Sequence, residues 1–126
     1  MHKSKLSGFI IDCQTIDLDR SADFWGSALG MPVRELPPGE GEIYKRLDDH
    51  QHGLHIEVQA VSHPSRVHLD IETDDVEAEV HRLEKLGAKR IEAVRTWVVM
   101  KAPTGQRFCV VRASSADFDA KATVWG

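Results

Sequence analysis

Val67-His68-Leu69-Asp70-Ile71 alternates apolar and polar side chains at every step, which is the period of a strand with one packed face and one polar face. With Glu72 added, the polar side carries an imidazole and two carboxylates, groups suited to a metal or a proton-handling site. An amphipathic strand whose polar face meets water reads the same way, so the stretch argues for a strand before it argues for a site. Its greasy side, Val67, Leu69 and Ile71, is expected under the helix that follows. Asp74 opens that helix, with Glu77 three residues on in the manner of a capping box. Val76, Val80, Leu83 and Leu86 then recur at helical spacing until Gly87 ends it.

Downstream, residues 89–95, 97–101 and 107–112 read as three strands, the last two joined by the turn Ala102-Pro103-Thr104-Gly105. Upstream the same order is met once already. Residues 8–13 form an apolar strand, and Asp17 caps a helix running to Leu29, with Leu18, Ala22, Trp25 and Leu29 on one stripe and Gly30 at its end. Gly26 inside it costs about 1 kcal/mol against alanine. Residues 31–36 are extended, Pro37-Pro38-Gly39-Glu40-Gly41 is a turn, and residues 42–47 and 53–61 are strands. Leu29-Gly30 and Leu86-Gly87 mark the same helix end in each half, which makes the chain an internal repeat of strand, helix and three strands. The expected arrangement is a single domain with repeats at 6–62 and 63–114, followed by a tail, 115–126, partly ordered through Phe118 and Trp125.

A chain of 126 residues suits one domain with its own core. A net charge of −4 excludes the basic surface that nucleic-acid binding needs. No apolar run approaches a membrane span, the first residues lack a signal core, and Cys13 and Cys109 match no zinc spacing. The expected location is the cytoplasm.

Three features together, the repeat, Asp19-Arg20-Ser21-Ala22-Asp23-Phe24-Trp25 leading to Ala28-Leu29-Gly30-Met31, and the turn at 102–105 before Phe108-Cys109-Val110, resemble the vicinal oxygen chelate superfamily of glyoxalases, bleomycin-resistance proteins and extradiol dioxygenases. Within it, Val67-His68-Leu69-Asp70 and Arg107-Phe108-Cys109-Val110 resemble the glyoxalase-like subgroup. Ala102 departs from the Asp usual in that turn, which bears on turn capping. The resemblance implies an α+β fold of two βαβββ repeats forming an open, barrel-like mixed sheet around a cavity, with the helices outside. In metal-dependent members four inward residues hold one divalent cation. Carried over, those positions fall at Ile10, Glu57, His68 and Cys109. Only Glu57 and His68 match the usual ligand types, Ile10 cannot coordinate, and Cys109 binds metal only as thiolate.

Imidazole and carboxylate suit zinc, nickel, iron or manganese, so Glu57 and His68 are the expected metal ligands if a divalent cation is bound. Asp12 supplies a third if the first strand is shifted. His55 shares a face with Glu57, and Asp70 with His68, so Asp12, His55, Glu57, His68, Asp70 and Cys109 are the candidate ligand-binding set, with Glu57 the best candidate for catalysis. Cys109 reads as a small buried hydrophobe or as a pocket thiol near His68, the first being the commoner fate. His50, His52 and His63 are expected in solvent. The resulting expectation is a small-molecule-binding glyoxalase-like protein, metal-free or weakly metal-binding, with catalysis left open and a homodimer in solution. The alternative is a divalent-metal-dependent lyase, isomerase or dioxygenase acting on a small oxygen-bearing substrate.

Overall fold

The computed structural model describes residues 1–126. Its elements are β1 (His2–Gln14), α1 (Leu18–Leu29), β2 (Val33–Arg34), β3 (Tyr44–Asp48), β4 (His55–Val61), β5 (Arg66–Thr73), α2 (Val76–Lys85), β6 (Lys89–Val94), β7 (Trp97–Lys101), β8 (Arg107–Arg112), α3 (Phe118–Lys121) and β9 (Thr123–Trp125). The order strand, helix, three strands occurs twice, and the class is α+β with mixed, unclosed strand ladders. Two compact units are formed, one by Gly8–Val67 and the other by Met1–Ser7 with His68–Gly126.

In the unit Gly8–Val67 the strand order is β2-β3-β4-β1, with β1 and β4 parallel and the other pairs antiparallel. Ile11, Leu18, Ala22, Leu47, Ile56 and Val58 form its core beneath α1, because alternate residues of each strand turn to the helix while the rest turn away. Asp17 accepts a hydrogen bond from the Arg20 amide at 3.1 Å and caps α1 as the sequence predicts. The helix runs unbroken through Gly26, whose lack of a side chain is required: a Cβ there would lie 2.8 Å from Val33 Cγ2 and 2.9 Å from the Met31 carbonyl oxygen. Leu29 is exposed rather than on the buried stripe, and of the extended stretch at 31–36 only Val33–Arg34 pairs as a strand.

In the other unit the order is β5-β8-β7-β6, with β5 and β8 parallel, while β9 pairs antiparallel with the first residues of β1. Helix α2 lies over β8, β7 and β6, and Val80, Leu83, Val98, Met100 and Val110 make the core. Its N-cap is Asp75, which accepts from the Ala78 amide at 3.1 Å, one residue later than expected. Asp74 instead accepts the Lys3 amide at 2.8 Å, and Glu77 pairs with Arg90 at 2.8 Å. Because α2 covers β8 rather than β5, only Ile71 of the expected greasy face packs against the core; Val67 and Leu69 are 59% and 51% exposed. Leu86, beyond the last helical turn, is exposed as well.

The ends of the chain are better ordered than their sequence suggests. His2 Nε2 meets Glu79 Oε1 at 2.8 Å, Arg82 grips the same carboxylate through two 2.8 Å hydrogen bonds, and the Arg82 guanidinium lies 3.8 Å over the Trp125 ring. Trp125 Nε1 donates to Ser4 Oγ at 2.8 Å. Burial alone would raise the Glu79 carboxyl, but hydrogen bonds from Arg82, His2 and Ser4 outweigh it and hold it below its ordinary value of 4.5.

Candidate functional site

His68 and Asp70 stand two residues apart on β5 and therefore share a face. Cys109 on β8 pairs in parallel register with Asp70. One nitrogen, one oxygen and one sulfur donor from these three side chains lie within 4.8 Å of one another. His68 Nε2 approaches Asp70 Oδ1 at 3.7 Å, with both side chains shielded, at 14% and 13% exposure. Tetrahedral coordination at ordinary zinc bond lengths sets such donors about 3.3–3.6 Å apart, so the His68–Asp70 pair is already near that spacing and the widest pair must close by about an ångström. The donor types and spacing fit a borderline or soft divalent cation. Glu72, next on the same polar face, is not available: its carboxylate accepts from the Ser115 hydroxyl at 2.6 Å and amide at 3.1 Å. Burial raises its pKa, but those bonds, a Ser7 hydrogen bond and Lys5 lower it further, leaving it a structural anion.

A second polar face belongs to the unit Gly8–Val67. His55 and Glu57 sit on β4 with His55 Nε2 3.2 Å from Glu57 Oε2. In the parallel register Ile10 lies beside Glu57 and Asp12 beside Gln59, so the strand is not shifted in the way that would bring Asp12 to Glu57. Asp12 is buried and lies 3.7 Å from Arg66 Nε. On β3, Tyr44 faces Gln59, Arg46 faces Glu57 and Asp48 faces His55.

A family model described as a glyoxalase-like domain matches residues 8–111. The chain belongs to the glyoxalase-like domain family. Its fold is similar to solved structures of low identity. A hypothetical protein from Bacillus halodurans C-125 is 15% identical with a TM-score of 0.61, the match covering 88% of this chain and 95% of that one. A methylmalonyl-CoA epimerase from Mycobacterium tuberculosis is 17% identical with a TM-score of 0.63, covering 86% and 87%. A glyoxalase/bleomycin resistance protein/dioxygenase superfamily member from Vibrio splendidus 12B01 is 18% identical with a TM-score of 0.52, covering 84% and 98%. No curated protein sequence matches the chain.

Of the residues read from the sequence of this glyoxalase-like chain, His68, Asp70 and Cys109 are brought together, and His55 meets Glu57. Cys109 is largely shielded from solvent and lies beside its two fellow donors. His50 and His52 are exposed as expected, whereas His63 is half-buried with Nδ1 2.9 Å from the Pro64 carbonyl oxygen. Arg46 and Tyr44 were missed. Their signal was parity alone: both sit an odd number of steps from Lys45 and Leu47, which face the core side.

Proposed function

We propose that this glyoxalase-like protein binds a small oxygen-bearing molecule, and that His68, Asp70 and Cys109 hold a divalent cation weakly as part of that site. The observation that carries the reading is the convergence of three unlike metal donors from two adjacent strands within 4.8 Å. A bound cation would supply Lewis acidity toward a ligand oxygen. The chain's own part is to present the His68 imidazole nitrogen, the Cys109 sulfur and an Asp70 carboxylate oxygen to the cation from two adjacent strands. Few protein donors leave coordination positions open for a ligand. Glu57, with His55 at 3.2 Å, is the proton-moving candidate in the enzymatic form of this reading, a lyase, isomerase or dioxygenase. The fold similarity to an epimerase solved with methylmalonyl-CoA supports a small ligand that carries a carbonyl oxygen. The exposed Val67 and Leu69 support a homodimer that covers them, and the two free thiols support a reducing cytoplasm.

Cobalt titration tests the metal. Protein purified without an affinity tag is expected to develop a near-ultraviolet thiolate-to-cobalt charge-transfer band, which Cys109→Ser abolishes and His68→Ala weakens about tenfold or more. A spectrum unchanged by Cys109→Ser would refute the assignment.

A further inference from the structure

The face of β2, β3 and β4 turned away from α1 carries a guanidinium whose Nε–H its neighbours do not satisfy. Arg34 pairs with Asp48 at 2.5 Å, His55 with Glu57 at 3.2 Å, and Gln59 Nε2 donates to the Tyr44 hydroxyl at 3.1 Å. Arg46 stands in the middle of this set, in register with Arg34 on one side and Glu57 on the other. Its Nε–H is sealed from solvent and has no hydrogen-bond acceptor. The neighbouring carboxylates are engaged by other side chains. A buried donor left without an acceptor forfeits its hydration and gains nothing in return, so a chain selected for stability alone would place an apolar residue here.

We propose that Arg46 anchors the oxyanionic group, a carboxylate or a phosphate, of this protein's small-molecule ligand. A guanidinium offers its Nε–H and one Nη–H in a fixed parallel fork, which two oxygens of one oxyanion accept together. A neutral carbonyl offers one oxygen and cannot accept both N–H groups of the fork in parallel. Arg34, though drawn to Asp48, adds positive potential on the same face and helps confine the anion to Arg46. The inference rests on the small-molecule reading but not on the cation at His68, Asp70 and Cys109.

Arginine Nε–H resonances in 1H–15N spectra, followed while inorganic phosphate or acetate replaces chloride at constant ionic strength, test it. The resonance missing from Arg46→Lys is that of Arg46. It is expected to shift saturably with at least one probe. Phosphate alone assigns a phosphate-bearing ligand and acetate alone a carboxylate. Binding of the effective probe, read from backbone amides, should weaken about tenfold or more in Arg46→Lys and Arg46→Met and be unchanged in the surface control Arg20→Gln. Without anion, Arg46→Met should melt at or above the wild-type temperature, since it removes an unsatisfied donor, and only the wild type should gain on adding the probe. No saturable shift of that resonance, equal binding by Arg46→Met, or a lower melting temperature for Arg46→Met without anion would each overturn the inference. Cobalt binding without an anion response overturns it alone; an anion response without cobalt binding overturns the metal assignment and leaves Arg46 standing.

Discussion

Gly8→Ala should damage the unit Gly8–Val67 far beyond the loss of one hydrogen atom. Gly8 pairs with His55 in the parallel β1–β4 ladder, and a Cβ built on it would fall 2.0 Å from the His55 carbonyl oxygen, 2.6 Å from its carbonyl carbon and 2.7 Å from its nitrogen. All three are backbone atoms, so no rotamer change relieves the overlap. Restoring even a tight contact moves the start of β4 by about an ångström, which disrupts one or two ladder hydrogen bonds worth about 0.5–1.5 kcal/mol each and adds an overpacking cost of about 1–3 kcal/mol. The expected loss is about 2–4 kcal/mol, or on the order of 10 °C in melting temperature for a domain of this size. His55 moves with its backbone, so its contact with Glu57 should loosen. Circular-dichroism melts give the first quantity and the His55 imidazole resonances the second. Melting within about 2 °C of wild type, with His55 unshifted, would refute the steric reasoning.

Leu69→Ala should cost less than about 1 kcal/mol of monomer stability because the residue is half exposed, whereas Met100→Ala, fully buried, should cost about 2–5 kcal/mol; equal shifts in urea midpoints would show that Leu69 is covered in the folded monomer. Leu69→Asp should also lower the mass found by light scattering if Val67 and Leu69 cover a dimer interface, and an unchanged dimer would place that interface elsewhere. Glu79 has a depressed pKa in the folded state, so its stabilising contribution is present above the unfolded value near 4.5 and is lost as pH falls through the lower folded value. Urea midpoints measured from pH about 6 down to about 3 should therefore fall less steeply in Glu79→Gln than in wild type, and parallel curves would contradict the cause given for the shift. Arg82→Ala, which strands the buried Glu79 carboxylate, should cost about 3–5 kcal/mol; a loss below about 1 kcal/mol would mean that His2 alone satisfies it.

The repeat was readable because helix ends and strand parity are local properties: Asp17, Gly30 and Gly87 act through their own backbone neighbours. Reading failed where a distant partner decides. His2-Lys3-Ser4-Lys5 conceals a strand because its buried positions are polar, and they are tolerable only because Glu79 and Trp125 satisfy them. Leu69 looked like core because periodicity gives a face but not what lies over it, and α2 lies over β8. His68 and Asp70 were legible as neighbours on one face, and Cys109 could be set beside them only through the resemblance to the vicinal oxygen chelate superfamily. Arg46 was invisible, since nothing in Tyr44-Lys45-Arg46-Leu47-Asp48 tells which basic side chain is left without an acceptor.

Each unit joins its parallel strands across a long stretch of chain: Gly8 meets His55, and Leu69 meets Phe108. The antiparallel ladders β3–β4, β6–β7 and β7–β8 close over much shorter loops, and loop-closure entropy favours them first. Cys109 reaches Asp70, and Ile10 reaches Glu57, only through the parallel pairs. The hairpins can thus exist before the set His68, Asp70 and Cys109 does, whereas the polar face of β3 and β4 forms together with its own hairpin. Pulse-labelled hydrogen exchange during refolding would find the amides of β7 protected ahead of those at the β5–β8 seam.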